Sequence, residues 1–305
     1  MAKKQASKQL LHVQLDDKYT ANEGTAFITG TQALVRLPLM RRQADVANNL
    51  NTAGFISGYR GSPLARLDQQ LWAANNLLKE NHITFTSGIN EELGATAVWG
   101  SQMSNLYEGA KYDGVFGMWY GKGPGVDRAL DCFKHAHANG TSKNGGYLVI
   151  VGDDHACVSS TLGHQSEQAL ASADIPTLYP SNIQEYLDYG MMGWDMSRYT
   201  GGIVAMKCVS EIVESSASVV LNKTPKTKAP QTFTKSEDLN VHYPDNRFDQ
   251  EKRLLEKTSA AQAFAYANQI DKTTHKSDTA KVGVITAGKS YLDTLSALEE
   301  LGLGK

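Results

Sequence analysis

The chain has 305 residues, 41% of them hydrophobic and 20% charged, with a formal net charge of −2. That is ordinary soluble globular composition, long enough for one large or two smaller domains with real cores. It carries no basic stripe for nucleic acid, no apolar run near the roughly 20 residues of a membrane helix, and no apolar signal core after Met1-Ala2-Lys3-Lys4. A cytoplasmic protein without nucleic-acid or membrane partners is expected. Cys132, Cys157 and Cys208 are far apart and form no C-x-x-C, so they cannot by themselves hold an iron–sulfur cluster or structural zinc. They read as buried structural thiols, and no metal ligands are assigned.

In chain order, residues 1–22 read as a polar tail. Ala26–Gly30 is a short strand or the approach to a helix, and Thr31–Asn49 is a helix with Leu34, Leu37 and Leu39 among its apolar positions. Thr52–Tyr59 is a buried strand closed by the turn Arg60-Gly61-Ser62-Pro63, and Leu64–Glu80 is the next helix. The apolar run Ile83–Thr86 leads into a small-residue helix beginning at Glu91. Tyr112–Trp119 is a strand, Asp127–His137 a helix, Tyr147–Val151 a strand, Ile175–Tyr179 strand-like, Ile183–Met196 a helix and Gly202–Lys207 a strand. Repeated βα units imply a doubly wound, mostly parallel α/β sheet with ligand loops at the strands' carboxyl ends. After Val219 the pattern fails, and residues 223–255 read as a polar linker entering the helix Gln250–Gln269. Lys281–Ala287 is a predicted strand and Tyr291–Leu301 a helix. That final unit cannot bury both faces alone, so residues 256–305 read as the truncated start of a second α/β domain.

Four motifs carry chemistry. Glu91 follows Asn90 at a strand-to-helix turn, where open α/β sheets bind ligands; an acid there also simply suits the helix dipole. In Gly121-Lys122-Gly123-Pro124-Gly125, glycines allow φ > 0 or close ligand approach, and Lys122 could meet an anion; a tight turn with a solvated lysine is the plainer reading. Gly152-Asp153-Asp154-His155 closes a buried strand with groups able to bind a metal, to shuttle protons or, more plainly, to cap the next segment. Gly283–Ser290 matches G-x-x-x-x-G-K-[ST], but its middle residues are the predicted strand rather than a loop. A phosphate-loop nucleotide binder is therefore one alternative, and a non-catalytic α/β interaction subunit is another.

As an ordered set, Gly58-Tyr59-Arg60-Gly61-Ser62-Pro63, Asn90-Glu91, Tyr120–Arg128, Gly152–His155 and Tyr179-Pro180-Ser181-Asn182 resemble the amino-terminal part of the 2-oxoacid:ferredoxin oxidoreductases. The pattern is most similar to the long, fused indolepyruvate ferredoxin oxidoreductases. It covers residues 20–215 and resumes over Lys281–Gly302. The resemblance implies a pyrimidine-binding domain for thiamine diphosphate over residues 23–222. It implies Glu91 as the acid that hydrogen-bonds the aminopyrimidine ring. Tyr59, Gly61, Asn90, Gly121 and Lys122 would be further cofactor contacts, and Ser62, Asp153, Asp154 and His155 would face the 2-oxoacid substrate. It also implies a magnesium-diphosphate site and [4Fe-4S] clusters outside these residues. Coenzyme A, ferredoxin, further domains or subunits of the same enzyme, and a dimer are the implied partners.

Overall fold

The computed structural model describes residues 13–158, 160–221 and 225–303. In order, the elements are α1 (Asp17–Thr20), β1 (Thr25–Thr29), α2 (Gly30–Ala47), β2 (Ala53–Gly58), α3 (Leu67–Ala73), α4 (Asn75–Glu80) and β3 (Ile83–Phe85). Then come α5 (Glu91–Ser101), β4 (Val115–Lys122), α6 (Gly123–Asn139), β5 (Tyr147–Asp153), α7 (Glu167–Ala171), β6 (Thr177–Leu178) and α8 (Ile183–Thr200). The last are β7 (Ile203–Val209), α9 (Ser210–Val213), β8 (Ser216–Val220), α10 (Arg247–Ala267) and α11 (Lys289–Glu300).

Six strands form one sheet in the order β3-β2-β4-β5-β7-β6, every pair parallel. Helices cover both faces, so each central strand is apolar on two sides. On β5, Leu148 and Ile150 join the layer under α2 and α8, while Tyr147, Val149 and Val151 join the layer under α5 and α6. The expected doubly wound, mostly parallel α/β architecture is thus present, with an antiparallel β1–β8 pair beside it.

Local chemistry sets the helix ends. Thr29 and Gln32 form a reciprocal capping box at the start of α2. Asn182 caps α8 through Glu185 N–H, and Gly201, at φ +66°, ends it. Between α2 and α8 lies a buried ionic knot. Asp45 accepts from both amino groups of Arg198 at 2.7 Å, from Arg41 at 2.7 Å and from Thr52 at 2.7 Å.

Several expectations shift. The predicted helix Leu64–Glu80 breaks at Ala74 into α3 and α4. The predicted strand Tyr112–Trp119 is displaced three residues later, because Tyr120, Gly121 and Lys122 pair with Ile150, Val151 and Gly152 of β5. Residues 281–287 pair with no strand among the described residues, and Val282, Val284 and Ile285 are exposed. Within 223–255, Leu239 and Asn240 are buried, with the Asn240 amide donating to Thr141 O at 3.1 Å. Helix α10 packs its Phe264 against Tyr199 of α8.

Candidate functional site

From β2 the chain goes outward to β3, then crosses back to place β4 on the other side of β2. Connections leave β2 and β4 in opposite directions, which opens a crevice at their carboxyl ends. Glu91 lies on the border of this crevice. Asn90 accepts the Leu93 N–H at 2.9 Å and so fixes where α5 begins. Gly88 N–H donates to Gly58 O at 2.8 Å, and Trp119 Nε1–H donates to Glu91 O at 3.0 Å. Backbone bonds therefore tie Glu91 to the ends of both β2 and β4.

Close packing needs missing side chains at three points. A Cβ on Gly94 would lie 3.0 Å from Gly58 Cα, so α5 rides directly on β2. On Gly125, in the first turn of α6, it would lie 2.6 Å from Glu91 Cγ and 3.1 Å from Oε1. On Gly121 it would enter the Trp119 ring at 2.4 Å. None of Gly121, Gly123 and Gly125 has positive φ. They admit neighbours rather than turn the chain, and the expected three-glycine turn is the end of β4 running straight into α6. The Glu91 side chain is half-buried, and no described residue hydrogen-bonds or ion-pairs with its carboxylate. Gly125 thus leaves a cradle behind an acceptor that is still open to an incoming donor.

Tyr59 and Gly61 lie on the facing wall. Tyr59 N–H donates to Tyr120 O at 3.0 Å, and a Gly61 Cβ would touch Lys122 Cδ at 2.7 Å. Lys122 reaches past Gly61 to donate to Ser160 Oγ at 3.0 Å. Half-buried Ser62 precedes Pro63 and Leu64, which press on Gly152 at the end of β5. Glu91, Tyr59, Gly61, Ser62, Gly121 and Lys122 therefore share one strand-end crevice, with Asn90 engaged as the cap of α5.

Asp153, Asp154 and His155 have other partners. Buried Asp153 accepts Ser166 N–H at 2.9 Å and Ser166 Oγ–H at 2.7 Å. It also lies 3.5 Å from Lys207 and 3.7 Å from His164 Nδ1. Asp154 accepts the Val158 N–H at 3.0 Å, and His155 Nδ1 lies 3.0 Å from His164 O. These residues hold the β5–α7 loop against α6, where the His164 ring occupies the space a Gly123 side chain would need. Sequence reading gave Lys207 only as part of a strand and assigned it no partner. It is buried two residues before the end of β7, paired with Glu167, with its ammonium 4.6 Å above the Tyr179 ring. Burial and the Glu167 charge raise the Tyr179 hydroxyl to about 12. A lone lysine within an apolar strand carries no sequence signal of such a partner set.

Among the described residues, no group of three or more His, Cys, Asp or Glu is arranged to hold a metal ion, and no helix is long and apolar enough to cross a membrane. The phosphate-loop match does not form a strand–loop–helix. Gly283 stands in open space, and Lys289 is paired with Asp293 at 2.8 Å.

No protein-family model matches the chain. It is 30% identical over 200 residues to indolepyruvate oxidoreductase subunit IorA of Pyrococcus abyssi, covering 64% of this chain and 30% of that one. It is 22% identical over 292 residues to the subunit of the same name from Methanothermobacter thermautotrophicus, covering 95% and 43%. The chain spans less than half the length of these curated relatives. A solved 2-oxoglutarate:ferredoxin oxidoreductase from Magnetococcus marinus, with 2-oxoglutarate, coenzyme A and succinyl-CoA bound, shares the fold. Its TM-score is 0.59 at 15% identity, over 92% of this chain and 53% of that one. The chain is thus similar in sequence to indolepyruvate oxidoreductase subunits and shares its fold with a 2-oxoacid:ferredoxin oxidoreductase.

Proposed function

We propose that residues 23–222 are the pyrimidine-binding domain of a thiamine diphosphate-dependent enzyme that oxidatively decarboxylates an arylpyruvate such as indolepyruvate to an acyl-CoA. The observation that carries this reading is the Glu91 carboxylate, half-buried at the switch-point crevice, backed by Gly125 and unengaged by any described residue. A ring nitrogen needs such an acceptor, and a site screened from water strengthens the bond.

When bound, thiamine diphosphate would supply the carbon that adds to the 2-oxo group and would hold the electron pair left when carbon dioxide departs. The chain's own residues bind and orient. Glu91 holds the proton shared with the ring nitrogen. Tyr59, Gly61, Asn90 and Gly121 shape the walls. Lys122 supplies positive charge among the cofactor contacts, and Ser62 a hydroxyl toward the carboxylate of the 2-oxoacid. Asp153, Asp154 and His155 keep the β5–α7 loop closed on the substrate side. Magnesium, the diphosphate site, [4Fe-4S] clusters and the ferredoxin contact would belong to further domains or subunits. A cytoplasmic dimer completes the reading.

The test is to incubate the full-length gene product with thiamine diphosphate, magnesium, coenzyme A and indolepyruvate, and to follow reduction of an artificial electron acceptor. Turnover that requires both cofactor and 2-oxoacid supports the reading. Absence of turnover with every 2-oxoacid tried overturns it.

A further inference from the structure

Lys207 shares its face of β7 with Ile203 and Ala205, which belong to the apolar layer under α5 and α6, and it is 1% exposed. An ammonium there must give up its water, and apolar residues in place of a buried ion pair are often neutral or stabilising. Packing alone therefore does not call for a lysine at this position.

Its partners come from three returns of the chain. Asp153 ends β5 and lies 3.5 Å from the ammonium, Glu167 begins α7 and is paired with it, and the Tyr179 ring just after β6 lies 4.6 Å away. Burial alone would raise the Glu167 carboxyl, but the Lys207 bond and charge hold it below its usual range. From these partners two paths run to the crevice. Pro63 and Leu64, just after Ser62, rest on Gly152, where a Cβ would meet Leu64 Cγ at 2.8 Å and Pro63 Cδ at 3.1 Å. Asp153 also holds Ser166 by two bonds. The loop ending there sets Ser160 Oγ 3.0 Å from the Lys122 ammonium and His164 Nε2 3.1 Å from Asp127 of α6.

We propose that Lys207 is a positioning residue for the substrate side of the crevice. Through Asp153 and Glu167 it fixes the end of β5, on which the turn after Ser62 rests, and the loop that presents Ser160 and His164. This role rests on the proposed function, and its loss should show in binding of the 2-oxoacid rather than in the chemistry at Glu91.

The test is steady-state kinetics of the full-length gene product with thiamine diphosphate, magnesium, coenzyme A and indolepyruvate, following an artificial electron acceptor. Lys207→Met should raise the KM for the 2-oxoacid on the order of tenfold, the worth of one hydrogen bond to a charged group. Its kcat, and the thiamine diphosphate concentration that half-saturates it, should stay within about threefold of wild type. Lys207→Arg keeps the charge, and half-exposed Glu167 can yield to its length, so KM should return to within about threefold of wild type. Ser166→Ala removes one Asp153 bond without stranding a buried charge, so it decides the matter if Lys207→Met does not fold, and KM should rise again. Independently of turnover, the Ser166 amide should exchange its hydrogen faster in Lys207→Met, on the order of tenfold, because its acceptor is freed. The role is overturned, and the proposed function kept, if wild type turns over but the variants keep its KM, if only kcat falls, or if exchange at Ser166 is unchanged. If wild type turns over no 2-oxoacid, the proposed function falls and this role with it.

Discussion

Gly125→Ala tests whether the position of the Glu91 carboxylate matters. The new Cβ would lie 2.6 Å from Glu91 Cγ, where ordinary carbon contacts begin near 3.5 Å, so the side chain must retreat by about 1 Å. A misplacement of that size at a catalytic group lowers the rate on the order of 10²-fold, equivalent to about 2.7 kcal/mol of barrier. Folding should hardly notice. Alanine is favoured over glycine inside a helix by roughly 0.5–1 kcal/mol, and this offsets part of the strain of moving a half-buried side chain. The assay is kcat/KM for arylpyruvate-dependent acceptor reduction by the full-length protein, alongside its melting temperature. Activity should fall on the order of 10²-fold, with a melting temperature within about 4 °C of wild type. Wild-type activity, or activity lost only in step with unfolding, would refute the reasoning.

Other expected outcomes follow from the same packing. Gly123→Ala would place a Cβ 1.7 Å from His164 Nδ1 and expel the ring. Adding His164→Ala should relieve much of the damage, with a coupling above about 1 kcal/mol in a double-mutant cycle on unfolding. Asp45→Ala leaves Arg41 and Arg198 without their shared acid and should cost about 3–5 kcal/mol in denaturant unfolding. Burial alone would raise the Asp45 carboxyl, but the Arg198 bonds and charge, with Arg41, hold it below its usual range. Its stabilisation is therefore present above the unfolded value near pH 4 and is lost as pH falls through the lowered folded one. Lys257 donates to the His137 and Ala138 carbonyls at the end of α6, and burial, with Arg253 nearby, lowers its ammonium to about 7. Between about pH 7 and the unfolded value near 10.4, the unfolded chain holds a proton that the folded one has released. Stability from this group should rise with pH across that window, and Lys257→Met should flatten the rise in a pH series of melts.

Much of this architecture was legible because parallel strands covered on both faces read as unbroken apolar runs. Tyr147–Val151 and Gly202–Lys207 are such runs, and each lies over an observed strand. Strand β8 was not legible, because Ser216–Val220 alternates in burial and pairs with β1, nearly the whole domain away in sequence. Lys281–Ala287 has the apolar pattern of a strand but no ladder partner among the described residues, and pattern alone cannot supply one. At the candidate site, Glu91 and the glycine clusters stood out as residue types at strand ends. What each glycine admits was hidden, since the Trp119 ring, the Glu91 side chain and the His164 ring reach Gly121, Gly125 and Gly123 through packing. The partners of Asp153 were equally out of reach, because Lys207 arrives from a strand 54 residues further along.

The most direct test of the central claim compares the full-length protein with its Glu91→Gln variant in arylpyruvate-dependent acceptor reduction, with thermal melts of both. Glutamine keeps the size and the Asn90-capped start of α5 but removes the charge that, in the proposed function, would share a proton with the ring nitrogen. Turnover should fall by at least on the order of 10²-fold while the melting temperature stays near wild type. A variant that turns over like wild type would contradict the assignment of Glu91 as the cofactor's acid and leave the crevice as a packing feature of an α/β fold.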